Sequence, residues 1–133
     1  MTTCYVASSL DNYRQVQQVQ QRLIAAGISI PCDWTAEYEK ELADKSYKPP
    51  TRFALDMLRA ANLSNVLLFL TPGRSGAHIE LGAALSSNTY VVIHLAPEVR
   101  FKDFYNLADL VTPDLEEAIQ AVEHKHRERC KHV

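Results

Sequence analysis

No apolar run in this chain approaches the ~18 residues that a bilayer crossing requires, which excludes a membrane span. Excess charge of either sign is also missing. The formal net charge of −2 gives no electrostatic drive toward nucleic acid or an anionic membrane. The one basic cluster, HKHRERCKH near the C-terminus, reads as a solvated helix end. Cysteine is sparse. Cys4, Cys32 and Cys130 are odd in number and share no ligand spacing, so they read as reduced thiols and not as disulfides or a zinc site. The opening MTTCYVASS has neither the charged region nor the long apolar core of a secretory signal, and a cytoplasmic location is expected. There is no internal repeat and no low-complexity segment, and nothing in the pattern calls for a metal or a cofactor.

What is present alternates between two periods. CYVAS is a short apolar run that ends in polar residues, as a buried strand does. Residues 12–26 follow, with Val16, Val19, Leu23 and Ile24 at helical spacing, glutamines facing out, Asp11 or Asn12 as a cap and Gly27 as a stop. ISIPCDW predicts a second strand, at an edge because Pro31 lacks a ladder donor. Residues 35–51 are charged, aromatic and irregular, with one helical turn around 36–43, and suit a lid over a site. A helix over 52–62 precedes NVLLFL, the most continuous apolar strand and therefore the central one. A helix over 77–87 and a strand over 89–95 come next. A short turn, a brief strand at 109–112 and a last helix with Leu115, Ala118, Ile119 and Val122 on one stripe complete the chain. The expectation is one domain over residues 1–133. It is a flavodoxin-like three-layer α/β sandwich with a five-stranded parallel sheet in the order 2-1-3-4-5. Ligands of such folds bind beyond the carboxyl ends of the first and third strands, here a crevice lined by residues 7–12 and 71–80.

Inside that crevice TPGRSGAHIELGAA carries one carboxylate, Glu80. Ala77, Ala83 and Ala84 leave room beside it on the helix. Set near a helix N-terminus, the carboxylate is favoured in its ionised form by the dipole and can act as a nucleophile. A dipole or capping partner is the plainer alternative. Asp56, off the apolar face of the preceding helix, is a second acid that can approach the same mouth. Two carboxylates at one cleft suit displacement at a glycosidic carbon. Gly73 shapes the loop, and Arg74 can fork onto a phosphate or carboxylate. Ser75 is placed to cap the helix, and His78 can carry a proton. Trp34 is the aromatic best placed to stack on a planar base, whereas Tyr5 and Phe53 read as core.

The chain resembles the nucleoside 2-deoxyribosyltransferase-like superfamily of N-glycoside-cleaving proteins. The residues that carry the resemblance are YVASSLDN, the helix ending at Gly27, Asp56 ahead of NVLLFLTPGRSGAHIELGAA, and NLADLVTPDLEEAI. The loop is similar to the PxGRSxHxExG pattern of small members of that superfamily, with one residue of difference in spacing. The resemblance implies that Glu80 attacks C1′ of the sugar, displaces the base and forms a covalent glycosyl-enzyme, which water or a second base then resolves. It implies that Asp56 binds the sugar or orients the nucleophile. The loop Ala7, Ser8 and Ser9 would lie against the sugar or its 5′ substituent. It also implies a nucleoside or nucleotide substrate and a homodimer or higher oligomer whose neighbouring subunit helps close the pocket.

One position departs from the pattern. The transferases carry an aspartate six residues before the glutamate, and this chain has Arg74. That weakens base exchange and opens the possibility that Arg74, with Ser8, Ser9 and Ser75, holds a 5′-phosphate. Two other readings stand beside this one. The chain also resembles, more loosely, a Toll/interleukin-receptor-type NAD-cleaving domain. A non-catalytic nucleotide-binding module would keep the fold and pocket without turnover.

Overall fold

The structure, a computed structural model, describes residues 1–131. The strands are β1 (Cys4–Ala7), β2 (Val66–Leu70), β3 (Tyr90–His94) and β4 (Leu110–Thr112). Among the described residues they form one four-stranded parallel sheet in the order β1-β2-β3-β4. β2 is buried at every position, VLLFL, because helices cover both of its faces. Its register aligns Ala7, Phe69 and Ile93 across the sheet, so the carboxyl ends of β1 and β2 lie side by side.

The helices are α1 (Tyr13–Ala25), α2 (Trp34–Ala43), α3 (Thr51–Leu63), α4 (Ser75–Leu85) and α5 (Leu115–Cys130). α1 packs with α5, and α3 packs with α4, giving a layer on each side of the sheet. α1 buries Val16, Val19 and Leu23, as its spacing predicts, and it also buries Gln20. Gly27, at φ +90°, ends α1: its N–H reaches Ile24 O at 2.9 Å and the next N–H, of Ile28, reaches Leu23 O at 3.0 Å. That left-handed turn is open to glycine at low cost.

The expected fifth strand at residues 28–34 is absent, and the order 2-1-3-4-5 is corrected accordingly. Only Ser29 pairs, in a single parallel bridge beside Thr3. Its carbonyl accepts from Cys4 N at 2.9 Å and its N–H donates to Thr2 O at 2.9 Å. Pro31 then offers no donor, and Asp33 commits the chain to a helix: its carboxylate accepts from Thr35 N at 3.0 Å. Residues 35–51 are correspondingly more ordered than the sequence suggested, since α2 occupies the first half and residues 44–50 connect it to α3. The route still produces a crevice. The helix after β1 goes to the α5 side, and the helix after β2 goes to the α3 side. The loops 8–12 and 71–74 therefore part at the sheet's carboxyl edge.

Candidate active site

Between those loops lies a cavity of about 410 Å³, lined among others by Tyr5, Ser8, Trp34 and Glu80. This size falls within the few hundred Å³ typical of small-molecule sites. Glu80 is 8% exposed and accepts a hydrogen bond from Tyr5 Oη through Oε2, at 3.0 Å. α4 starts at Ser75, two residues earlier than expected, so Glu80 sits in the second turn, where the dipole has faded. Burial then dominates. It pushes the Glu80 carboxyl up from 4.5 to about 7, and the Tyr5 hydrogen bond pulls the other way. The expectation of a carboxylate kept ionised by the dipole is corrected: at neutral pH this acid is poised between its two forms. Tyr5 itself is driven far above its ordinary value, first by burial and then by the neighbouring Glu80 charge, so it remains a donor.

The polar wall comes from the loop after β1. Ser8 Oγ donates to Leu70 O at 2.7 Å and accepts from Asn12 Nδ2 at 2.9 Å, which ties the two loops together. Ser9 N donates to Pro72 O at 3.0 Å, and Ser9 Oγ donates to Asp11 Oδ1 at 2.6 Å. The Ser9 hydroxyl, then a hydrogen bond from the residue's own N–H, hold the Asp11 carboxyl below the ordinary carboxylate value, and the field of Arg74 adds least. Arg74 is exposed at the rim and also lines the cavity. Ala7, an expected substrate-binding residue, is fully buried at the end of β1 and is not among the residues that line the cavity.

The apolar wall holds Trp34, Tyr38 and Met57. Trp34 is 3% exposed, and its Nε1 donates to Val6 O at 2.8 Å, so the ring is fixed against β1. This wall continues into a second hollow of about 300 Å³ that adds Phe53, Pro49 and Pro50.

Several expected site residues lie elsewhere. Asp56 is exposed on α3, 4.0 Å from Arg52, and lines a separate surface depression with Thr3 and Cys32. Cys32 is half-buried beside this depression: burial first, then the charges of Glu80 and Asp56, push its thiol up to about 11. His78 does not line the cavity. Its Nδ1 donates to Arg74 O at 2.9 Å, so in the neutral ring Nε2, 2.9 Å from Tyr105 Oη, accepts. The ring is packed against Phe69 and Tyr105. Ser75 is exposed at the first position of α4 and is not its cap; Arg74 takes that position, without a side-chain cap bond. Gly73 is a packing residue, because a Cβ there would fall 2.4 Å from Phe69 Cζ.

Sequence reasoning missed Tyr5 as a site residue and gave Asp11, within the expected crevice loop, no role beyond a cap. Tyr5 is fully buried, as core residues are, but a buried phenol needs a partner, and that partner is Glu80. Asp11 read as a helix cap, whereas Ser9 holds it at the cavity. Among the described residues no cluster of three metal-ligating side chains occurs, and no helix is long and apolar enough to cross a membrane.

No family model matches the chain, and no curated protein does. The solved CMP N-glycosidase BcmB of Clostridium botulinum superposes on it with a TM-score of 0.58. The chain shares its fold with an N-glycosidase. The superposition covers 92% of this chain and 99% of BcmB, at 12% sequence identity. An identity that low speaks to architecture, and the chemistry rests on the residues above.

Proposed function

We propose that the protein cleaves the N-glycosidic bond of a nucleoside or nucleoside 5′-monophosphate, with Glu80 as nucleophile. The observation that carries this reading is a single buried carboxylate at the floor of a nucleoside-sized cavity, held by one hydroxyl donor, Tyr5. Departure of the base builds positive charge on the sugar. A carboxylate in a low-dielectric pocket stabilises that charge and then bonds to C1′. Tyr5 fixes one oxygen of Glu80 and leaves the other for attack. Water or a second base then resolves the glycosyl-enzyme. The overall likeness to BcmB, a CMP N-glycosidase, supports the same class of bond.

In this proposal Trp34 and Met57 form the side on which the base lies. Ser8, Ser9 and Arg74 form the sugar end. Asp56, at the separate depression beside Cys32, takes no part at the reacting carbon, and His78, Ser75 and Gly73 shape the loop that presents α4. A homodimer whose second subunit narrows the open side of the cavity belongs to the same proposal, and light scattering tests it. One observation favours a second reading, a non-catalytic nucleotide-binding module: apart from Glu80 the cavity's only acid among the described residues is Asp11 at the sugar end, and no acid lines the base side to protonate a leaving base.

The deciding experiment is release of free base from a panel of nucleosides, 5′-monophosphates and NAD, followed by chromatography. Wild type should release base, and Glu80→Gln should lower the rate by at least about 10³-fold. Binding of the same ligands with no release by wild type would establish the binding module instead.

A further inference from the structure

We infer that Asp11 makes the sugar end of this cavity a reader of an uncharged 5′-hydroxyl, so that the preferred substrate is a nucleoside and not its 5′-monophosphate. This rests on the reading of the cavity as a nucleoside site. The walls divide by polarity: Trp34, Tyr38 and Met57 on one side suit a planar base, and Ser8, Ser9, Asp11 and Arg74 on the other suit the sugar's distal end. At neutral pH a phosphate presents acceptors almost exclusively, so its site must supply donors. The loop after β1 leaves the N–H groups of Leu10 and Asp11 without a backbone acceptor, while its hydroxyls and the N–H groups of Ser9 and Asn12 are spent. Ser8 Oγ already donates to Leu70 O at 2.7 Å, and Ser9 Oγ already donates to Asp11 at 2.6 Å. The N–H of Ser9 is taken by Pro72 O and that of Asn12 by Ser9 O, each at 3.0 Å.

What this loop adds to the cavity's lining is an exposed acceptor, Asp11. Ser9 anchors Asp11 Oδ1 and leaves Oδ2 available. A 5′-hydroxyl can donate to that oxygen, and a phosphate is repelled by it. Arg74 is the exposed cation of this end and would attract a phosphate, and its field on the equally exposed Asp11 is weak. The first N–H groups of α4, at Gly76 and Ala77, also favour an anion, and with Arg74 they are the features that work against the inference. Asp11 decides between them, because it is the acid on the same rim.

The test compares cytidine, 5′-deoxycytidine and CMP with wild type and Asp11→Asn. The expected order for wild type is cytidine at least about tenfold above both others in kcat/KM, since a site built for a hydroxyl rejects the analogue that lacks it. Asp11→Asn should raise kcat/KM for CMP about tenfold, mainly through KM, and narrow the gap to cytidine. Wild type favouring CMP, or Asp11→Asn leaving the ratio unchanged, overturns the inference. If another base is the one released in the panel, the same three compounds are made on that base; if no base is released at all, the proposed function has failed, and calorimetric binding to Glu80→Gln decides the inference separately. Tighter binding of cytidine than of CMP sustains it. Equal binding, tighter CMP, or no binding of either overturns it.

Discussion

Replacing Glu80 by glutamine should stabilise the fold in a way that depends on pH. The folded-state carboxyl sits near 7 against 4.5 for the unexposed-to-field reference, so the folded protein holds a proton that the unfolded chain releases. Below pH 4.5 both states are neutral at this residue and it contributes no penalty. As pH rises from 4.5 to about 7 the wild type loses stability, and above that range the loss is complete. At about 1.4 kcal/mol per unit, the full loss is on the order of 3 kcal/mol. Glu80 is 8% exposed, so solvent screening takes little from this figure. Glutamine keeps a carbonyl for the Tyr5 hydroxyl and never ionises. Its buried amide adds an offset of its own, but one independent of pH. The assay is urea unfolding of both proteins from pH 4 to pH 9. The variant should gain on wild type across the window and then run parallel to it. In thermal scans of a domain this size the gain corresponds to roughly 10 °C. A difference that stays constant over the whole range, or a wild type that gains on the variant as pH rises, would refute the burial argument for Glu80.

Tyr5→Phe removes the donor that lowers the Glu80 carboxyl. The acidic limb of kcat/KM for base release should therefore move to higher pH, with a larger loss at pH 6 than at pH 9; an unshifted limb would mean that Tyr5 does not tune the nucleophile. Gly73→Ala places a methyl group 2.4 Å from Phe69 Cζ and should cost about 1–3 kcal/mol, read from the urea midpoint. Pairing it with Phe69→Leu should recover part of that loss. Asp33→Ala removes the cap of α2 and should destabilise by about 1 kcal/mol. If its unfolding curve matches wild type, the cap does not hold the start of that helix.

The parts of the fold that were legible in the sequence are those where one local signal dominated. NVLLFL has no polar face and became the fully buried β2, and Gly27 stopped α1 through a left-handed turn. ISIPCDW misled because its apolar residues carry strand propensity while Pro31 and Asp33 carry the opposite instructions, and the two breakers won. Residues 35–51 read as mostly irregular for a related reason: α2 has a weakly apolar face, so its helix shows in its cap more than in its period. At the site, Glu80, Trp34, Ser8, Ser9 and Arg74 surround one cavity because loop positions after β1 and β2 follow from topology. Asp56 and His78 do not reach it, because their directions depend on how α3 seats on α4 and on the two residues by which α4 starts earlier. No periodicity encodes such rotations.

The indole of Trp34 has a second consequence. β1 has no strand beyond its one bridge at Ser29, and yet the carbonyl of Val6 is satisfied, because Trp34 Nε1 donates to it at 2.8 Å. The same ring that walls the cavity thus does the work of a neighbouring strand, and shields an edge that another chain would otherwise extend. Ligand selectivity and colloidal behaviour are joined in one side chain. A pocket redesigned at Trp34 to admit a bulkier base would also uncover a pairing edge, and its first visible defect would be in the yield of monodisperse protein.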